Sequence, residues 1–110
     1  MPDPYIFIPN FADHAALPEN GILSRTVQND DRSKVIQFCF APGQELSAHT
    51  APFPATIYIV QGEGELQLGA DRMPVRAGAF AYMPAKLEHA IHAKTEVVML
   101  LTLLKEPAVR

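Results

Sequence analysis

The chain has 110 residues, 48% of them hydrophobic and 19% charged, which suits one hydrophobic core and excludes a disordered chain. A net charge of −3 without a basic stripe removes the attraction that nucleic acids and anionic membranes rely on, so neither partner is expected. The lone cysteine, Cys39, excludes an intrachain disulfide framework.

Ten prolines and six glycines, scattered along the chain, predict many short elements joined by turns. Tyr5-Ile6-Phe7-Ile8, bracketed by Pro4 and Pro9, reads as an edge strand within an N-terminal edge segment over 1–20. After the turn signal Asn20-Gly21, Ile22 to Val27 forms a strand, and the polar stretch 28–33 loops to a second strand at Lys34 to Phe40. Pro42-Gly43 then occupies the centre of a type II turn, whose second central residue needs positive φ. Thr56-Ile57-Tyr58-Ile59-Val60 is β-branched and apolar, and Gly62 and Gly64 turn it into the alternating Glu65-Leu66-Gln67-Leu68. Short strands follow at Met73 to Arg76, Ala79 to Met83 and Glu88 to Ala93. The last apolar run, Val97 to Leu104, is too short for a membrane span and reads as a buried strand. The expectation is an all-β, antiparallel sandwich or barrel. The opening MPDPYIFIPN lacks the basic and long apolar regions of a secretory leader, so a cytoplasmic protein is expected.

Four histidines are the main candidates for chemistry. His14 lies in a polar-flanked segment and reads as solvent-exposed. His89 and His92 stand three apart on one strand, so they face opposite sides. Ala90 shares a face with His92, and Ile91 and Ala93 share the other with His89. Tyr58 has the opposite parity to Ile57 and Ile59 and points outward. Cys39, within an apolar strand, reads as a small core residue rather than a nucleophile. Gly62-Glu63-Gly64 is a hairpin turn, with no following helix to bind a nucleotide.

Two spaced motifs carry a resemblance. Gly43, His49 and Gly62 stand in the frame of the first cupin motif, and Gly78, Pro84 and His89 stand in the frame of the second. With motif one at about 43–62 and motif two at about 78–93, the chain resembles a small conserved-barrel cupin of the RmlC-like type. The resemblance implies one cupin domain over 1–110, folded as an antiparallel double-stranded β-helix or jelly-roll barrel. It also implies a homodimer, in which faces carrying Phe7, Phe11 or Tyr58 are covered.

Cupin metal centres use three histidines and a glutamate. Here the second histidine position falls on Ala51 and the glutamate on Ala55, leaving His49 and His89 as the matched ligands. The second-motif glycine and asparagine positions fall on Lys86 and Ala93. Glu45, two strand periods before His49, is the one replacement ligand its parity allows. Two imidazoles are fewer than protein metal sites usually offer, so a divalent metal would be weakly held and none is required.

The resemblance therefore implies an apolar interior lined by His49, His89, Ala51, Ala55, Ile57 and Ile59, either open as a pocket around a small-molecule ligand or filled by these side chains themselves. The alternatives are enzymes of the family's types. One is a metal-dependent dioxygenase or isomerase. The other is a metal-free, epimerase-like catalyst using a pocket histidine as base, which requires an acid partner and an orienting carboxylate.

Overall fold

The computed structural model describes residues 4–106. The first three and last four positions of the expected 1–110 domain, and the start of the 1–20 segment, lie outside the described residues. Nine strands follow one another without a helix among the described residues: β1 (Ile22–Asn29), β2 (Ser33–Phe40), β3 (Glu45–His49), β4 (Ala55–Gln61), β5 (Glu63–Leu68), β6 (Asp71–Arg76), β7 (Phe80–Met83), β8 (His89–Ala93) and β9 (Val97–Leu104). The runs read as strands form strands, but Gly64 lies inside β5 and Pro74 inside β6, so the turn expected at Gly62-Glu63-Gly64 is confined to Gly62.

The strands form two antiparallel sheets, one ordered β1-β2-β9-β4-β7 and the other β3-β8-β5-β6. The first pairs β2 with β9 and β9 with β4, although each pair is distant in sequence. That crossing of the chain between sheets is the jelly-roll arrangement, and the fold is all-β as expected. No helix among the described residues is long and apolar enough to cross a membrane.

The core lies between the two inner faces. Phe40 from β2, Ile57 and Ile59 from β4, Val97 and Met99 from β9, and Met83 from β7 pack against Leu66, Ile91 and Ala93 of the facing sheet. Their spacing of two along each strand follows from the pleat, which sends alternate side chains to the same face. The turns at one end of the barrel are drawn tight over this core. Gly43 has φ 81°, and the amide of Gln44 donates to the Ala41 carbonyl at 3.2 Å, closing the type II turn that Pro42-Gly43 predicts. Gly62 has φ 95°, and a Cβ there would run into the Glu96 carbonyl. Only glycine lets β4 and β5 turn this close to the start of β9.

The N-terminal segment departs from expectation. Residues 5–8 form no strand, and residues 4–20 instead run as an irregular strap against the outer face of the β1-β2-β9 half of the larger sheet. Side chains hold the strap where a ladder would have. The Asn10 side-chain oxygen accepts from the Ala12 amide at 3.1 Å. Gln37 of β2, fully buried, donates from Nε2 to the Phe11 carbonyl at 3.4 Å. Arg25 of β1 donates to the Gln37 Oε1 at 2.9 Å and also to the His14 carbonyl. A glutamine buried this completely needs both its amide groups satisfied, and this network supplies the partners. Cys39 is buried but stands beside Val98, opposite in parity to the core residues of β9. It therefore packs on the outer face rather than within the barrel.

A candidate two-histidine site at the open end of the barrel

His89 opens β8 and His49 closes β3, and the two are direct partners in the ladder. Cross-strand partners project to the same side, so both rings meet at the mouth of the barrel with centroids 4.2 Å apart and planes inclined by 59°. His89 is buried to 9% exposure, whereas His49 is exposed at the rim.

Each ring is held in the same way. His49 Nδ1 lies 2.7 Å from the Ser47 carbonyl oxygen, and His89 Nδ1 lies 2.9 Å from the Leu87 carbonyl oxygen. A carbonyl only accepts, so both Nδ1 atoms carry the proton and donate it. In the neutral ring the lone pair is then on Nε2, and neither Nε2 has a hydrogen-bond partner among the described residues. The site presents two basic nitrogens side by side.

The turn before this strand also shapes the mouth. Pro84 to Leu87 forms a turn in which the Leu87 amide reaches the Pro84 carbonyl at 3.3 Å, with Lys86 at φ 68°. The Lys86 amide also donates to the Ala51 carbonyl at 2.8 Å, tying the turn before β8 to the loop after β3. That position is glycine in the motif the sequence resembles; here a lysine takes the left-handed conformation, which costs about 1 kcal/mol for a side chain with Cβ.

Beneath the rings is a cavity of about 140 Å³ lined by His49, Ala51, Ala55, His89, Leu101 and Leu103, with Phe53, Met83, Pro84 and Leu87 completing the wall. A smaller space of about 40 Å³ continues inward past the same two histidines to Ile57, Leu66 and Met99. Of the expected pocket residues, His49, His89, Ala51 and Ala55 line the mouth and Ile57 forms the floor. Ile59 is beyond that floor: it lines a separate cleft of about 310 Å³ with Met73, Val75 and Phe80. Pleat parity gave Ile59 the inward face but could not give its depth. Leu101 and Leu103 were missed, although the alternation of β9 already places them with Met99 on the inner face.

Glu45 is not at the site. Its ladder partner is His92, while Leu46 pairs with Ile91 and His49 with His89. Three residues of β3 thus span two of β8, an extra residue that makes a β-bulge at Ser47-Ala48. The bulge reverses parity. Glu45 turns to the outer face beside His92 and Glu65, and Leu46, not Glu45, shares the inner side with His49. His92 is exposed and His89 buried, as parity requires, and His14 is exposed.

The donor set can be weighed against the four-ligand metal centre that the motifs imply. Ala51 and Ala55 offer methyl groups where two ligands would stand, and no cluster of three or more His, Cys, Asp or Glu suited to a metal exists among the described residues. Two imidazoles do not make such a centre. No carboxylate reaches either Nδ1, so neither ring has the partner that would steady an imidazolium. What the arrangement can do is accept hydrogen bonds at two points in an apolar hollow.

Comparison with known proteins agrees with this architecture. The family model for the cupin domain matches residues 36–104. A conserved protein of unknown function from Streptococcus pyogenes superposes with a TM-score of 0.84 at 26% identity, covering 94% of this chain and 91% of that one. A cupin superfamily protein from Desulfitobacterium hafniense gives 0.83 at 24% identity, over 96% and 95% of the two chains. A cupin 2 conserved barrel domain protein from Leptotrichia buccalis gives 0.78 at 30% identity, over 86% of this chain and 46% of that longer one. No curated protein matches the sequence. With the domain model spanning both motifs and the whole barrel from β2 to β9, the chain belongs to the cupin family.

Proposed function

We propose that the chain is a small-molecule-binding cupin whose ligand enters the open end and donates hydrogen bonds to His49 and His89. The observation that carries this reading is the pair of unpartnered Nε2 atoms above a cavity of about 140 Å³ with apolar walls. A hollow with a few convergent polar groups is the common form of a ligand site. Its size sets the ligand class: cavities near 150 Å³ admit one six-membered ring. The ligand is thus a compact, largely apolar molecule bearing one or two O–H or N–H groups.

Phenol and toluene, alike in size and differing in the hydroxyl, test this directly. Phenol is expected to shift the methyl resonances of Ala51, Ala55, Leu101 and Leu103 and to raise the unfolding temperature. Toluene should do so more weakly, by roughly the tenfold in affinity that one hydrogen bond supplies. In His49→Ala and His89→Ala the preference for phenol should vanish. Equal responses to both probes, or none from either, would overturn the reading.

A further inference from the structure

The two sheets part along one side of the barrel. β7 is the last strand of the larger sheet and β6 the last of the smaller one, and the two are not joined by a ladder. Between these edges lies the cleft of about 310 Å³. Met73 and Val75 flank it from β6, and Ala81 of β7 and Ala79 just before that strand flank it from the other side. Two methyl groups thus leave open what larger side chains would close. The turn between β6 and β7 shuts one end: the Gly78 amide donates to the Ile59 carbonyl at 2.8 Å, and the Ile59 amide donates to the Ala79 carbonyl at 2.9 Å.

Ladder partners relate this cleft to the mouth. Leu101, Ile57 and Ala81 are partners in a row across β9, β4 and β7. Ile91, Leu66 and Met73 form a second row across β8, β5 and β6. Leu101 lines the mouth cavity and also the space of about 40 Å³ within it. Ile57 and Leu66 line that inner space and also the lateral cleft, which ends between Ala81 and Met73. The three spaces therefore follow one another across the strands, each sharing a wall with the next. From Ile57 to Ala81 is one strand spacing, about 4.8 Å. Apart from the two imidazoles, every side chain lining the inner space and the cleft is apolar.

From this we infer that the ligand carries an unbranched hydrocarbon tail on its hydroxylated head, and that the tail runs from the imidazoles between the two rows into the lateral cleft. The inference rests on the reading of the mouth as a ligand site. The inner space selects the shape: a ring needs about 150 Å³, so a neck of about 40 Å³ passes a single chain and stops a second ring. The cleft selects the chemistry. Ile57, Ile59 and Leu66 at its floor are at most 3% exposed, and a chain laid over them leaves water without stranding a polar side chain. Continuity with the mouth assigns the cleft to the same molecule rather than to a separate partner.

Phenol, para-butylphenol and para-hexylphenol, titrated by calorimetry and followed by methyl NMR, test this. Each buried methylene should tighten binding roughly fourfold, so para-hexylphenol is expected to bind more than about a hundredfold tighter than phenol. It should shift the methyl resonances of Met73, Val75 and Ala79 together with those of Ala51 and Leu103, whereas phenol should shift the second set alone. Ala81→Leu fills the cleft and should lower the ratio of hexylphenol to phenol affinity tenfold or more. Ala79→Leu should do the same, and serves if the first substitution disturbs β7; circular dichroism verifies that each folds. A hexylphenol no tighter than phenol, or a ratio indifferent to both substitutions, overturns the inference and leaves the phenol reading standing. Shifts confined to Met73, Val75 and Ala79 overturn it as well, by seating the chain in the cleft without a head at the imidazoles. If phenol itself does not bind, that reading falls and the inference falls with it.

Discussion

The two ends of the barrel are built from the same strands and differ in almost every other respect. At the closed end Phe40, Ile59, Ala93 and Val97 are at most 1% exposed, and the turns over them use glycine where φ is positive, as at Gly43 and Gly62. At the open end the wall is Ala51, Ala55, Leu101 and Leu103, with two imidazoles at the rim and a cavity between them. There the turn before β8 puts a lysine, not a glycine, at φ 68°. At one end these four side chains are withdrawn from solvent, although Ile59 also borders the cleft of about 310 Å³, and at the other the cavity beneath the imidazoles meets a strained turn. Burial and local strain thus lie at different ends of one fold, and the proposed binding site is at the strained one.

The closed end should feel a truncation most. Phe40→Ala is expected to cost about 4 kcal/mol, because Phe40 is fully buried and its neighbours are held by both sheets. An unfolding free energy from urea titration within about 1 kcal/mol of the parent protein's would show that this end is not the anchor. At the open end the sign should reverse. Lys86→Gly relieves the left-handed strain and is expected to stabilise by about 0.5 kcal/mol, the gain being reduced by glycine's greater freedom when unfolded. Destabilisation on the same measurement would mean that the lysine side chain contributes contacts that outweigh the strain.

The smallest effect is expected in the β1-β2 loop. Hydrogen bonds from the Arg32 amide, and then the Ser33 amide, hold the Asp30 carboxyl below its ordinary range. A lowered folded value contributes stability above the unfolded carboxylate range, near pH 4, and loses it as pH falls through the folded value. Asp30→Asn keeps an acceptor for the loop but has no charge to titrate. It should flatten the acid limb of the stability curve below about pH 4 while leaving the cavity's response to phenol unchanged.

Much of this architecture was legible from the chain. Alternation located eight strands, and the pleat sorted His89 inward and His92 and Tyr58 outward. Two features were not legible, for physical reasons. The bulge at Ser47-Ala48 leaves no mark in a short polar strand, since small side chains suit either a regular or a bulged ladder. Glu45 was misplaced for that reason alone. The strap Tyr5–Ile8 has the composition of a strand, yet Pro4 and Pro9 withhold ladder donors at its ends, and side chains far away in sequence, Arg25 and Gln37, hold the chain that follows it. Periodicity reports on a strand's own neighbours and is silent about such distant anchors. A glutamine set between Val35 and Cys39 was the one available signal, because an amide buried in an apolar strand must find a partner.

The bulge in β3 has a consequence for how the site tolerates changes in length. Two residues, Ser47 and Ala48, stand opposite the single Ala90, so deleting one of them would leave a regular ladder with Leu46 still opposite Ile91 and Glu45 still opposite His92. No side chain of β3 would change face, and His49 would stay opposite His89. The strand carries one spare residue, which a single-codon deletion can remove while the mouth keeps its two imidazoles and its inward leucine.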